Sequence, residues 1–214
     1  VQEKFLSHVI DCNERHVNNL IKNCINSKAK MDKIITEIII PTIPHIQKLF
    51  DDGKIGKSEE QLMTGIISNS LQMITYHAGH SDSGKNIIIL SADSESILSS
   101  ESAAAAFRSQ NWNVFSIGDI SSSIDVLFDL ELRKLLSKTW KSKEGVMIII
   151  VFSQSEEGLK FISDSFYSVK EKSENNLFIV LSGKTGKKVK IKGDLSAPKL
   201  EDILQWSNTK YENL

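Results

Sequence analysis

The chain has 214 residues, 40% of them hydrophobic, which is enough to bury one large core or two small ones. Lys and Arg (26) balance Asp and Glu (27) to a formal net charge of −1, so no basic face for nucleic acid and no acidic tail stands out. The longest apolar stretch, Ile38-Ile39-Ile40 before Pro41, is far short of the roughly 20 residues that cross a bilayer, and no charged-then-apolar leader opens the chain. Cys12 and Cys24 fall in one helical region with neither a CxxC pair nor metal-ligand spacing. They read as reduced thiols serving as small apolar residues, with a cytoplasmic location as the expectation. The start at Val1 rather than Met sets a further expectation, that another domain precedes this one in a longer protein.

From Gln2 to about Gly79 the apolar residues recur at steps of three and four. Phe5, Leu6, Val9 and Ile10 form a first set, and Val17, Leu20, Ile21, Cys24 and Ile25 a second. A third set, Ile34, Ile35, Ile38, Ile39, Ile43, Ile46, Leu49 and Phe50, keeps the period through Pro41 and Pro44. Each proline lacks a backbone donor and is expected to kink or break that helix. Gly53 closes a turn over 49–55. Ser58 and Gln61 have capping-box spacing ahead of a fourth helix through Leu62, Met63, Ile66, Ile67, Met73 and Ile74. The expected product over residues 1–79 is a four-helix bundle.

His77-Ala-Gly-His80-Ser-Asp-Ser-Gly84 is small and polar and reads as a linker, placed at 80–85. Beyond it the period changes. Asn86–Leu90, Asn113–Ile117, Val146–Phe152 and Leu177–Leu181 are short, nearly continuous apolar runs of the kind buried on both faces of a parallel sheet. Lys188-Val-Lys-Ile-Lys192 alternates and is expected to be an edge strand. Helical patterns separate these runs at Ser99–Ser109, Ser123 to about Trp140, Glu156–Lys172 and Pro198–Trp206. The alternation predicts an open, doubly wound, flavodoxin-like sheet over 86–214, so the fold class is α plus α/β with a helical cap preceding the sheet. In such a sheet ligands bind beside the strand C-termini. The loops there are Ser91–Ser99, Ser153-Gln-Ser155 and Ser182-Gly-Lys-Thr-Gly186, all small and hydroxylic.

The candidate residues each have a plain reading as well. Gln61 can complete a cap rather than touch a ligand, Phe50 can be a core aromatic, and Glu60 suits the helix dipole on a first turn. His77 and His80 are spaced i, i+3, but the segment supplies no third ligand. The crevice serines lack the G-x-S-x-G elbow and a nearby His that nucleophilic work needs. Gly183-Lys184-Thr185 would end a P-loop only if position 178 were Gly, and it is Phe178. The Lys138–Lys143 segment reads as a solvated helix end, with Trp140 as an anchor for a protein partner. No acid–base pair and no metal site is placed at the crevice, so the sequence reads as a non-enzyme.

Phe50, nine intervening residues, then Glu60-Gln61 resembles the Trp, nine residues, Glu-His frame of the helical cap in MerR-type, cobalamin-binding, light-sensing repressors. Together with the α/β half, and with Ile87–Gly118 as its strand-loop-helix-strand portion, the chain resembles the cobalamin-binding modules of those repressors, methionine synthase and corrinoid methyl carriers. The resemblance implies a ligand cleft formed by Phe50, Glu60, Gln61, Ser94, Ser96, Ser99, Ser153, Ser182 and Gly183. Family members that coordinate cobalt from below do so with the His of an Asp/Glu-x-His-x-x-Gly motif after the first strand. In register this chain has Ser94, Ser96 and Ser99 at the acid, His and Gly positions, and no His follows His80. What the resemblance then implies is a regulatory or sensory module without histidine ligation of cobalt. Haem or base-on cobalamin is the alternative ligand, and a corrinoid carrier in methyl transfer is the alternative role. It also implies a protein partner or self-association, DNA contact only through a preceding domain, and no membrane.

Overall fold

The computed structural model describes residues 1–79, 81–123, 128–170, 176–183 and 191–214. Its backbone divides into two compact units, one of residues 1–79 with 105–110, the other of 80–104 with 111–214.

The helical unit follows the apolar period. Helices α1 (Gln2–Ile10) and α2 (Glu14–Asn26) are followed by a third helical stretch, Met31–Asp51, and by α5 (Lys57–Tyr76). The four stretches bury Phe5 and Val9, Val17 and Ile21, Ile34, Ile35, Ile39 and Ile46, and Met63, Ile66, Ile67, Leu71 and Ile74. Each such side chain contributes about 1.5–3 kcal/mol on burial, the main offset to the entropy of ordering the backbone.

The third stretch does not break at its prolines. It runs as α3 (Met31–Ile34), a π turn (Ile35–Ile39), a 3₁₀ turn (Ile40–Thr42) and α4 (Ile43–Asp51), with right-handed helical angles at Ile40 (φ −54°, ψ −44°) and Ile43 (φ −57°, ψ −52°). A widened turn before Pro41 and a tightened one around it absorb the missing donors, and the buried Thr42 hydroxyl donates to Ile38 O at 3.1 Å. The chain leaves α4 by a Schellman turn at Gly53 (φ +67°). There Gly53 N–H donates to Phe50 O and Lys54 N–H to Leu49 O, both at 2.9 Å. The expected Ser58–Gln61 capping box is not formed. Helix α5 begins two residues earlier, with Gly56 as N-cap, and Glu59 Oε2 accepts the Gly56 N–H at 2.8 Å.

The second unit holds a five-stranded parallel sheet in the order β2-β1-β3-β4-β5. Its strands are β1 (Asp82–Ser91), β2 (Trp112–Asp119), β3 (Val146–Ser153), β4 (Leu177–Gly183) and β5 (Leu195–Ser196). Helices α6 (Ile97–Ser109), α7 (Phe128–Thr139), α8 (Glu156–Lys170) and α9 (Leu200–Glu212) complete it. This is the expected flavodoxin-like order, with β1 starting at Asp82 instead of Asn86, inside the expected linker. The short edge strand is Leu195–Ser196. Of the run expected there, Ile191 and Lys192 are not in a strand, and 188–190 lie outside the described residues.

Alternation splits the core between the two faces of the sheet. Ile88, Leu90, Met147, Ile149, Val151, Ile179 and Leu181 pack with Leu132 and Leu136 of α7 and Leu159, Ile162 and Phe166 of α8. Ile87, Ile89, Ile148, Ile150 and Val180 are buried on the other face. Trp140 is neither solvated nor a surface anchor: it is buried in the first of these clusters, and its indole N–H donates to Glu144 O at 2.8 Å.

Two glycines test this backbone. A Cβ on Gly145 (φ +65°) would sit 2.0 Å from Gly84 O, whereas one on Gly65, inside α5, meets nothing within 4 Å. Gly145→Ala is expected to cost about 2–4 kcal/mol, and Gly65→Ala to add about 0.5–1 kcal/mol. Urea denaturation of the two variants measures both, and equal effects would contradict the packing described.

Candidate functional site

The order 2-1-3-4-5 places the topological switch point between β1 and β3, where connections leave in opposite directions. Ser91 and Phe152 are paired at the strand ends, and the ladder runs one bond further, from Ala92 N–H to Phe152 O at 2.9 Å. Beyond that point β1 and β3 pair no further, and one carboxylate joins them. Asp93 Oδ1 accepts the Ser96 N–H at 2.9 Å, and Oδ2 accepts the Ser153 hydroxyl at 2.7 Å and the Gln154 N–H at 2.6 Å. The Ser91 hydroxyl also donates to Asp93 O. Partial burial pushes the Asp93 carboxyl up, but hydrogen bonds from Ser153, Ser96 and the Gln154 amide outweigh it, and the group titrates below its ordinary value.

Asp93 was not among the residues singled out from the sequence. Its signal was present: an Asp three residues before Ser96, after a buried strand, is an N-cap pattern, and Asp93 caps the 3₁₀ turn Ser94–Ser96 that leads into α6.

Ser96 is 1% exposed, and its Oγ is one of four buried side-chain polar atoms with no hydrogen-bond partner among the described residues. Ser94 beside it is exposed, and Ser99 is half-buried on the first turn of α6. Ser153 is buried; its hydroxyl donates to Asp93 and accepts the Ser155 N–H at 3.0 Å. Ser182 is buried at the end of β4, and Gly183 pairs with Ser153 so closely that a Cβ there would lie 1.7 Å from Ser153 O. At the start of α8, a Cβ on Gly158 would lie 3.2 Å from both Ala92 Cβ and Ser153 Oγ. Ser96, Ser153, Ser182 and Gly183 lie at the strand ends, and Asp93 bonds the first two.

The candidates of the helical unit form a separate cluster. Phe50 and Glu60 are half-buried, and Lys57 joins them: its Nζ lies 2.7 Å from Glu60 Oε2 and 5.2 Å from the centre of the Phe50 ring. Gln61 is exposed and takes part in neither cap nor cluster. His77 is exposed, its Nδ1 2.8 Å from Met73 O, and His80 lies outside the described residues. No group of three His, Cys, Asp or Glu side chains among the described residues is placed to hold a metal ion. Both cysteines are free thiols, and no helix among the described residues is long and apolar enough to cross a membrane.

Residues 1–75 match the family described as the B12 binding domain. No curated protein matches the chain. Among solved structures, the monomethylamine corrinoid protein of Methanosarcina barkeri superposes with a TM-score of 0.72 at 14% identity, covering 99% of this chain and 97% of its own. A cobalamin-binding protein from Desulfitobacterium hafniense covers 98% of both chains at 12% identity and a TM-score of 0.46. The methanol:cobalamin methyltransferase complex from Methanosarcina barkeri gives 0.43 at 12% identity, over 99% of this chain and 79% of that one. The first of these shows the fold: a helical N-terminal unit followed in sequence by a sheet of the flavodoxin-like order.

The Asp93 bonds make a pH-dependent prediction. A depressed carboxyl contributes stability that is fully present above the unfolded value of about 3.9 and is lost as pH falls through the lower folded value. Asp93→Ala is expected to cost about 1–3 kcal/mol at pH 7, because it removes three bonds to a charged acceptor and leaves the Gln154 N–H unpaired. The gap from the parent should narrow below pH 4. Denaturant midpoints across pH 3–7 check this, and a gap independent of pH would contradict it.

Proposed function

We propose that the chain is a corrinoid-binding carrier: it holds a corrinoid at the strand ends of its flavodoxin-like domain and presents it to a protein partner that transfers a methyl group. The observation that carries this reading is the match of residues 1–75 to the B12 binding domain family. The full-length likeness in fold to a monomethylamine corrinoid protein supports it. A regulatory role of the kind implied by the likeness to MerR-type repressors rests on the Phe50, Glu60 and Gln61 frame alone. Gln61, exposed and outside the Phe50–Lys57–Glu60 cluster, adds nothing to it.

The residues at the crevice fit one form of corrinoid and not another. A corrinoid coordinated by a protein imidazole does not fit, because the described residues after β1, β3 and β4 offer hydroxyls, amides and carboxylates but no imidazole. All five histidines of the sequence lie at or before His80. A corrinoid that brings its own axial base does fit. The side chains at Ser96, Ser153 and Ser182 are small, and Gly183 keeps the β4 backbone tight against β3.

When bound, the corrinoid supplies the methyl-carrying chemistry. The chain's own residues position and shield. Asp93 keeps the Ser96 and Gln154 loops together, so the strand ends meet a ligand as a preformed surface. The Phe50, Lys57 and Glu60 cluster gives the cap an aromatic face with a paired charge at its rim. No side chain is assigned to catalysis.

The test is direct. The purified protein is mixed with aquocobalamin, passed through gel filtration, and its visible spectrum recorded. The expected outcome is about one corrinoid per chain, retained with a dissociation constant in the micromolar range or below. Colourless protein after gel filtration overturns the reading.

A further inference from the structure

We infer that His8 and His16 form a two-imidazole binding site for a late first-row divalent cation, of which Zn²⁺ is the type, at the joint between α1 and α2. Neither residue takes part in the corrinoid reading above.

The spacing of the two rings suits such an ion. Their centres lie 5.1 Å apart, with the ring planes tilted by 37°. An imidazole nitrogen sits about 2.1 Å from Zn²⁺ and the ring centre about 1.1 Å further out, so a near-tetrahedral angle at the metal separates two such centres by about 5.2 Å.

One ring is also oriented as metal-bound imidazoles are. His16 Nδ1 lies 2.8 Å from Asn13 Oδ1, and the same oxygen accepts the His16 backbone N–H at 3.4 Å. An amide oxygen can only accept, so Nδ1 carries the ring proton and the Nε2 lone pair is left for a ligand.

The backbone that carries both rings is fixed as well. Helix α1 ends in a Schellman turn with Cys12 at φ +50°, where Cys12 N–H donates to Val9 O at 3.0 Å and Asn13 N–H to His8 O at 2.8 Å. Asn13 is in turn the N-cap of α2. It is therefore tied to both histidines, to the carbonyl of one and to the ring of the other. Buried Phe5 and Val9 on α1, and Val17 and Ile21 on α2, anchor the two helices in the core.

Neutral imidazoles select borderline ions such as Zn²⁺, Ni²⁺ and Cu²⁺ over Mg²⁺ and Ca²⁺, which take oxygen ligands. His8 is half-buried and His16 exposed, so solvent reaches the pair. No third His, Cys, Asp or Glu among the described residues joins them, and water completes the coordination shell. The ion clasps the last turn of α1 to the first turn of α2.

The tag-free chain, labelled with ¹⁵N-histidine, is titrated with Zn²⁺ and followed by long-range ¹H–¹⁵N correlation of the imidazole nitrogens. Before metal is added, His16 should show the Nδ1–H tautomer. Up to one equivalent, nitrogens of His8 and His16 should shift together, His16 through Nε2, while those of His45, His77 and His80 stay in place. Mg²⁺ should move none of them. By calorimetry, His8→Gln and His16→Gln should each weaken Zn²⁺ binding at least about tenfold. The spectra of the parent need no variant, so they decide even where a variant fails to fold. An unmoved His8 or His16, shifts spread over all five histidines, or variants that bind Zn²⁺ as the parent does, overturns the inference.

Discussion

At the switch point of a doubly wound sheet the polypeptide leaves adjacent strands toward opposite faces, and the ends of those loops lose the ladder that held the strands. Here the Asp93 carboxylate takes over. It receives one bond from the loop it belongs to and two from the loop after β3, so a single side chain closes the gap that the topology opens. Hydrogen bonds to a charged acceptor are stronger than those between neutral groups, and three on one carboxylate explain why its charged form is favoured despite partial burial. The rest of the crevice depends on this. Ser96 is buried because its own N–H is tied down, and Ser153 can lie against Gly183 and Gly158 because its hydroxyl points to Asp93.

The helical unit solves a different problem with the same economy. Two prolines three residues apart would end most helices, yet Ile34, Ile35, Ile39 and Ile46 must all reach one core. Passing from α to π to 3₁₀ and back to α keeps the helical path while shifting which carbonyl each donor meets, so the apolar stripe survives. The stretch then stops cleanly at Gly53, and Phe50, three residues before that turn, is held beneath Lys57 of the next helix.

Much of this was legible in the residues. Continuous apolar runs such as Val146–Phe152 can be satisfied only by burial on both faces, and the three- and four-residue steps from Phe5 to Ile74 admit only helices packed on one another, so the fold class followed from period alone. The candidate positions Ser96, Ser153, Ser182 and Gly183 were placed by the rule that ligands meet strand C-termini. What escaped was set by geometry at single residues. The start of α5 depended on Glu59 reaching the Gly56 amide in place of Gln61 reaching Ser58. Trp140 looked polar in its surroundings because its neighbours are lysines, and only the packing shows it buried in the core. Asp93 was passed over because its partners, a hydroxyl and two amides, lie as far as 61 residues away in sequence.

The account turns on where cobalt would find its axial nitrogen. The most direct measurement is pulsed electron paramagnetic resonance of the Co(II)–cobalamin complex, prepared with the protein grown on ¹⁵N-histidine and again without label. If the ligand brings its own base to a crevice of hydroxyls, the nitrogen coupling to cobalt is identical in the two samples. A coupling that changes with the isotope in the protein would place one of the five histidines on the metal and contradict the account.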